Sequence, residues 1–361
     1  MTALTLSDFE TVLADALPAG EIRDALTGRG LPHRRVEEWK WSDLRTVLAR
    51  FDSTRVPLVL EGTRHPDFEA KPASTHLMAQ LAAALGGEPQ GFTLADGETL
   101  RLDFAAQPGA AHQVLEVRVP EGVTATLQEI YTASQGAFAN IAVSITVEPG
   151  AVLHRIIEQD RAPGAVLVVT SEIDLQADGA MNQTTLGFGA RLVRLETHVT
   201  HAGEGAKLRL DGAYVVGEGL HLDQTSLVRH TGPGGETDEL FKGAARSGTG
   251  VFQGKIHVEQ AAQKTDAQMQ HRGMLLDDKG EIDAKPELEI YADDVVCAHG
   301  NALGAIDEDA LFYMRQRGLP EVTARALLTE SFLAEPLERI ADETLRETLL
   351  ERLRARLQEV S

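Results

Sequence analysis

LVRLETHVTHAGEGAKLRLDGAYVVGEGLHLDQTSLV, residues 192–228, holds three short runs rich in Val, Leu and Thr, parted by glycine-bearing turns. Gly203-Glu204-Gly205 and Gly217-Glu218-Gly219 lie 14 residues apart, and each is followed by alternating leucines, Leu208 and Leu210, then Leu220 and Leu222. Alternation with period two, bounded by glycine, predicts strands. The same texture extends outward from about residue 95 to 305, through runs at 115–119, 141–147, 152–157 and 166–170. No helix-length periodic segment interrupts them. Parallel strands of a doubly wound sheet need crossover helices, so that architecture is disfavoured, and a β-sandwich or a coil of strands stacked turn on turn remains. The short repeat points to the coil, whose narrow interior suits aliphatic and small residues. An aromatic content of 5% fits. Both ends of a coil expose strand edges that must be capped or paired, and the flanking helices are expected to cap them.

Those flanks read as helical. Phe9, Val12, Leu13, Ala16 and Leu17 fall on one helical face behind a Ser7 cap, and Pro18 ends the run. Ile22 and Leu26 mark a second short helix closed by Gly28 and Gly30. Residues 51–95 give no clear pattern beyond an Ala-rich patch at 81–85. After Ala305, Asp307, Glu308 and Asp309 crowd a helix start, Arg315 and Arg317 its end, and Gly318 then Pro320 part it from the next. Leu345, Leu349, Leu353 and Leu357 recur every four residues, the spacing of a helix packed on its own domain. The chain therefore divides into a helical and mixed segment at 1–94, a β core at 95–305 and a helical segment at 306–361.

The 361 residues are 43% hydrophobic and 25% charged, an ordinary globular composition with enough apolar surface for a sizeable core. A net charge of −21 repels phosphate backbones and anionic lipid, so neither nucleic acid nor a membrane surface is expected as a partner. Cys297 is the only cysteine, which excludes an intrachain disulfide. Residues 1–10 lack the basic-then-apolar pattern of a secretory leader, and no run of about 18 apolar residues occurs. A cytoplasmic location is expected.

Catalytic motifs are sparse. Gly254-Lys255 resembles the end of a phosphate loop, but Thr249 stands where the first glycine is needed and Ile256 where the Mg²⁺-binding hydroxyl is needed. Gly248, Gly250 and Gly254 miss the dinucleotide spacing by one residue and read as turn glycines. Asp277-Asp278, Asp293-Asp294 and the pair Glu287 and Glu289 suit solvated turns and faces in so acidic a chain. No histidine pair has the spacing of a zinc hydrolase. The exception is Cys297-Ala298-His299. On a strand these two side chains share a face with Cα atoms roughly 6.5 Å apart. A thiolate and an imidazole together suit zinc or an iron–sulfur cluster, yet two ligands do not close a four-coordinate site. Any metal there must take further ligands from another chain.

Several ordered stretches carry a resemblance: Gln263-Lys264-Thr265-Asp266-Ala267, Met274-Leu275-Leu276, EIDAKPELEIYADDV at 281–295, Cys297-Ala298-His299-Gly300 and ALFYMRQRG at 310–318. Together they resemble the SufB/SufD core family. Gly30-Leu31-Pro32 with Arg34, Glu38, Trp39, Lys40 and Leu44 is similar to the amino-terminal segment of its SufD branch, as is the low cysteine count. The resemblance implies a right-handed parallel β-helix flanked by helical domains, acting as a non-catalytic scaffold in a cytoplasmic complex with a SufB-like subunit and the SufC ATPase. It implies that Cys297 and His299 lie where a nascent iron–sulfur cluster forms against SufB. It also implies that the carboxy-terminal helices dock SufC, with Leu311, Phe312, Arg315, Arg317 and Phe332 as contact candidates. No tightly bound cofactor is expected in the isolated chain; a transient cluster at the interface is, and some members of the system are associated with reduced flavin. A homodimer of the isolated chain stays open. Ala298 and Asn301-Ala302 depart from the family pattern, where Ser and Ala-Thr are common. Two other readings stand beside this one: a purely structural partner of SufB with an inert Cys-His pair, and a β-helix carbohydrate-active enzyme, which would need a groove lined by aromatics.

Overall fold

Runs of alternating aliphatics separated by positive-φ turns leave each strand one partner on either side, in the turn before and the turn after. The computed structural model describes residues 5–71, 74–160 and 162–360. The chain opens with α1 (Asp8–Ala16), α2 (Glu21–Arg29) and α3 (Leu44–Leu48), then β1 (Val59–Gly62), β2 (Phe68–Glu69) and α4 (Leu77–Leu85). The coil runs through β3 (Gln90–Thr93), β4 (Thr99–Ala106), β5 (Gly109–Val119), β6 (Thr124–Ala133), β7 (Ala137–Val147), β8 (Val152–Gln159), β9 (Ala162–Leu175) and β10 (Ala180–Gly187). It continues with β11 (Ala190–His201), β12 (Lys207–Val216), β13 (His221–His230), β14 (Glu236–Ala245), β15 (Thr249–Val258), β16 (Asp266–Leu275), β17 (Glu281–Ile290) and β18 (Val296–Ala305). The helices α5 (Glu308–Gln316), α6 (Glu321–Glu338) and α7 (Glu343–Val360) follow.

Even-numbered strands from β4 to β18 form one nine-stranded sheet with β1, and odd-numbered strands from β3 to β17 form another with β2. All coil pairings are parallel, giving a β-solenoid of about eight turns; only β1 on β4 and β2 on β3 are antiparallel. Asp266 lies beside Val296, 30 residues later, and Ala180 beside Lys207, 27 later. The 14-residue spacing read from the sequence is thus half a coil turn, one strand and its bend. At one bend Gly203 has φ 79°, Glu204 φ 46° and Gly205 φ 78°. A Cβ on Gly203 would come within 2.1 Å of the Gly232 carbonyl carbon, so the chains pass where only glycine fits.

The helices cover the faces of the coil. The amino-terminal helices bury Phe9, Leu13, Leu44 and Met78 against the outward residues Phe138, Val166, Val168 and Leu192 of the odd-numbered sheet. Ser7 begins this layer with a capping box in which its hydroxyl and Glu10 exchange hydrogen bonds. On the other side, Leu333, Leu337, Leu349, Leu353 and Leu357 of α6 and α7 pack on Ile156, Leu186, Ala213, Val215 and Ala244. The expectation that helices cap the ends is therefore corrected: β1 and β2 close the first turn, while α5–α7 lie along the side. The outward apolar columns draw them there, because otherwise they would face water. No helix among the described residues is long and apolar enough to cross a membrane. Residues 1–4 of the stretch read for a leader lie outside the described residues.

The coil interior is largely aliphatic but contains an axial file of polar groups. Arg155, wholly buried, bonds Glu129 (2.5 Å), Gln183 (3.0 Å) and Ser171 (2.8 Å). Gln183 reaches Thr197 across the coil (3.1 Å), and Ser226 donates to Glu239 (2.7 Å). Glu239 is fully buried, its Oε1 has no partner among the described residues, and the nearby charge of Asp238 has the same sign. Burial pushes its carboxyl up to about 8 from the ordinary 4.5, with Ser226 pulling the other way. A carboxyl raised by folding stabilises the fold fully below pH 4.5 and loses that contribution as pH climbs toward 8. Glu239→Gln should therefore raise the melting temperature, by nothing near pH 4.5 and by a growing margin up to pH 8. Thermal melts across that range test this, and a margin independent of pH would refute it.

Candidate functional site

Cys297 and His299 fall on β18, the last strand of the even-numbered sheet. Register carries Ala125, Leu153, Met181, Leu208, Thr237 and Ala267 in one inward column that ends at Cys297. The neighbouring column, Leu127, Arg155, Gln183, Leu210, Glu239 and Met269, ends at His299. Every earlier member of both columns is buried. On β18 the columns emerge: Cys297 is half-buried against the core and His299 is exposed. The two side chains thus share one face, at the open mouth of the coil, beside an edge whose backbone groups no described strand pairs.

A third residue belongs to that face. Asn301, two positions on, accepts from His271 Nδ1 (2.8 Å), and His271 Nε2 meets the Tyr214 hydroxyl (3.0 Å). With the amide oxygen as acceptor, Nδ1 carries the proton and Nε2 accepts from Tyr214. Burial lowers His271 to about 4, so this ring stays neutral and the chain of bonds holds β18 in register on β16. Asn301, a departure from the family pattern, therefore has a partner of its own. The i, i+2, i+4 alternation through Cys297, His299 and Asn301 is the sequence signal that marks it.

Burial raises the Cys297 thiol above its ordinary 9.0, opposed by a hydrogen bond from the Ala267 backbone and reinforced by Asp266. Among the described residues no group of three His, Cys, Asp or Glu side chains is placed to hold a metal ion. The raised thiol stands protonated on the same face as the imidazole, and a cation brought beside it would favour the thiolate.

Other candidates resolve as structure. Gly250 and Gly254 are not turn glycines. They face inward on β15, where a Cβ would meet the Tyr214 ring at 2.4 Å and the Met269 sulfur at 2.4 Å. Asp277 takes hydrogen bonds from Ser247 and from the Lys279 and Gly280 backbone, which lowers it to about 2 and makes it a turn fastener. Asp294 pairs with Lys264, and Glu289 with Lys255 (2.6 Å) and His257 (3.1 Å).

Of the carboxy-terminal candidates, Leu311 is buried beneath α5 against Ile306 and Ala324. Phe332 is half-buried, its ring 4.7 Å from the Lys242 ammonium. Phe312 is 62% exposed, Arg315 pairs with Glu321 (3.2 Å), and Arg317 lies over the Tyr313 ring. Tyr313, Val322 and Leu327, which spacing alone does not single out, are the other exposed apolar side chains of α5 and α6. Eleven large hydrophobic side chains are exposed among the described residues; these four lie on α5–α6, and Ile290, Tyr291, Val296 and Leu303 lie around the open mouth. Two apolar faces are thus concentrated at the carboxy-terminal end of the coil.

The fold is a parallel β-solenoid whose last strand, β18, is paired on one side only and carries a thiol and an imidazole on one face. Residues 103–332 match the family model described as "SUF system FeS cluster assembly, SufBD core domain". The chain belongs to the SufBD core family. It is 31% identical over 250 residues to the iron–sulfur cluster assembly protein SufD of Escherichia coli K12, a match covering 68% of this chain and 59% of that one. A SufBD family protein of Mycobacterium tuberculosis is 31% identical over 57% of this chain and 54% of its own length. One of Synechocystis is 32% identical over 57% and 46%. The chain thus spans about half to three-fifths of the length of these relatives.

The raised thiol has a kinetic consequence in the isolated chain. Alkylation of Cys297 by iodoacetamide should show a pH midpoint above that of free cysteine in the same buffer, because the thiolate reacts. A midpoint at or below free cysteine would contradict the burial argument.

Proposed function

We propose that this chain is a SufD-like, non-catalytic scaffold subunit that completes an iron–sulfur cluster assembly site with a SufB-like partner and docks a SufC-type ATPase. The observation that carries the reading is the open mouth: Cys297 and His299 stand at the ends of two core columns, on a strand whose outer edge is unpaired and which is rimmed by Ile290, Tyr291, Val296 and Leu303. A second chain laid on that edge would pair its backbone, bury its apolar rim and bring the ligands and positive charge that the pair lacks. The cluster is the cargo of this site, held transiently, and its iron and sulfur come from outside the chain. A reduced flavin in the complex remains part of this proposal, with no residue assigned to it. A cytoplasmic location belongs to the same reading.

The test is co-expression with SufB-like and SufC-like subunits followed by anaerobic reconstitution. Cys297→Ala with His299→Ala should leave the complex assembled while cluster yield falls at least tenfold, read from the visible absorbance of the iron–sulfur chromophore. Unchanged yield would favour the purely structural reading of the pair.

For the ATPase contact the exposed face of α5–α6 is the candidate. Deleting residues 307–361 is a poor test, because α6 and α7 bury five leucines on the coil and their loss would uncover its core. Phe312→Asp with Leu327→Asp leaves that packing alone. The double variant should lose SufC co-purification with a melting temperature within a few degrees of the parent, and persistence of the complex would reject this docking face.

A further inference from the structure

The row of inward side chains on β18 continues one place beyond the thiol and the imidazole, and that place carries a donor of fixed direction. Asn301 follows His299 by two residues, so its Cα lies roughly 6.5 Å further along the same face. Its amide is oriented from inside the coil. Tyr214 is wholly buried, and among the described residues its hydroxyl meets one partner, His271 Nε2 at 3.0 Å. A buried hydroxyl proton without an acceptor is costly, so Tyr214 donates and Nε2 accepts. The other ring nitrogen, Nδ1, then carries the proton, and its acceptor is Asn301 Oδ1 at 2.8 Å. The Phe252 ring lies 5.0 Å from the imidazole, inclined to it by only 4°, and holds its plane.

With Oδ1 turned to that ring, the amide nitrogen is turned away from it, on a residue that is itself exposed. Its two N–H groups have no acceptor among the described residues. They stand on the face that presents Cys297 and His299, and they differ from both in kind, offering polarity without charge and no lone pair for a metal. Charge beside this face is already committed. Lys264, in the bend before β16, is matched by Asp294, and Asp266 lies close enough to Cys297 to act on its thiol. What the chain adds for an incoming anion is therefore a neutral hydrogen bond.

Sulfide and thiolate sulfur in an iron–sulfur cluster carry negative charge and accept N–H groups, and those bonds help to set the cluster's reduction potential. We propose that Asn301 is a third residue of the assembly site, whose amide, aimed by the Tyr214–His271 relay, donates to a sulfur of the cluster held at Cys297 and His299. This inference rests on the iron–sulfur reading and adds to it a residue that binds no iron. It separates two roles for one side chain: Oδ1 holds β18 to β16, and the amide nitrogen faces the cargo.

Two substitutions part these roles in the reconstituted complex with SufB-like and SufC-like subunits. Asn301→Asp keeps an acceptor for His271 and removes the donor; Asn301→Leu removes both and adds no charge. Each should shorten the half-life of the cluster under anaerobic chelation at least threefold and move its reduction potential downward, both read from the visible absorbance. The isolated Asn301→Asp chain should melt within a few degrees of the parent. His271→Leu, which leaves the amide but frees it to turn, should give a half-life between the parent and Asn301→Leu. A residue that only holds β18 in register would leave Asn301→Asp like the parent, so parental half-life and potential in that variant, or in Asn301→Leu, would overturn the proposal, and a parental half-life in His271→Leu would overturn the relay. Failure of the underlying reading looks different: the Cys297→Ala, His299→Ala complex would keep its cluster, whereas if Asn301 alone is misassigned that complex loses the cluster and the Asn301 variants retain it.

Discussion

A parallel coil pairs the backbone of each strand with the strands one turn away, and that rule cannot be met by the last turn. At the start of this coil the shortfall is closed by antiparallel strands, β1 on β4 and β2 on β3. At the far end no described strand pairs the outer edge of β17 or of β18. The same inward columns that build the core therefore surface there as a row of side chains, and a position that would be buried one turn earlier is left open to solvent. Cys297 and His299 owe their position to register rather than to any local motif: shift β18 by one residue and Val296, Ala298 and Gly300 would occupy the mouth instead. The bond from Asn301 to His271, itself tied to Tyr214, opposes that slip.

The polar file inside the coil works in the same direction. Aliphatic columns tolerate sliding, because one leucine packs much like the next. Arg155 does not. Its guanidinium finds Glu129, Gln183 and Ser171 in one register alone, and any other would leave a buried charge unpaired. Strand stacking supplies the affinity between turns, and the buried ions select which residues face each other.

Much of this is legible in the sequence. Alternating aliphatics, glycine turns and absent crossover helices suffice for a coil. Ser7 with Glu10, Asp307, and Gly318 before Pro320 mark helix ends that the structure places within a residue or so. The length of a full turn is less legible, since two strands of opposite sheets share one texture and the repeat shows itself at half its period. The inward glycines Gly250 and Gly254 read as turns because their cause, the bulk of Tyr214 and Met269 on neighbouring strands, lies well away in the chain. Leu311 reads as a contact residue for a related reason: spacing on a nine-residue helix does not say which face meets the coil, and Leu311 points inward while Phe312 points out. Nothing in residues 51–95 announces that β1 and β2 close the first turn, because strands of four and two residues carry too little pattern.

Solenoid turns touch only their neighbours, so a signal along the coil has to pass through each of them in series. The amino-terminal segment bypasses that limit. Glu37 bonds Lys285 on β17 (2.8 Å), the Glu38 carbonyl accepts from Gln253 on β15 (3.2 Å), and Ser42 reaches His221 and Asp223 on β13. Trp39 covers Arg194 on β11, so the segment spans four turns and reaches the last strand of its sheet. The Ser42, His221 and Asp223 constellation invites a hydrolase reading that its bonding denies. Ser42 is fully buried, and its one hydroxyl proton goes to Asp223 (2.5 Å), so His221 Nε2 (2.9 Å) must donate to the oxygen and cannot act as its base. What these three residues do is mechanical. They fasten a strap of chain across the odd-numbered sheet, from β11 to the strand that, with β18, forms the open mouth, and so tie residues 5–45 to the end of the coil where the unpaired edge, the thiol and the imidazole lie.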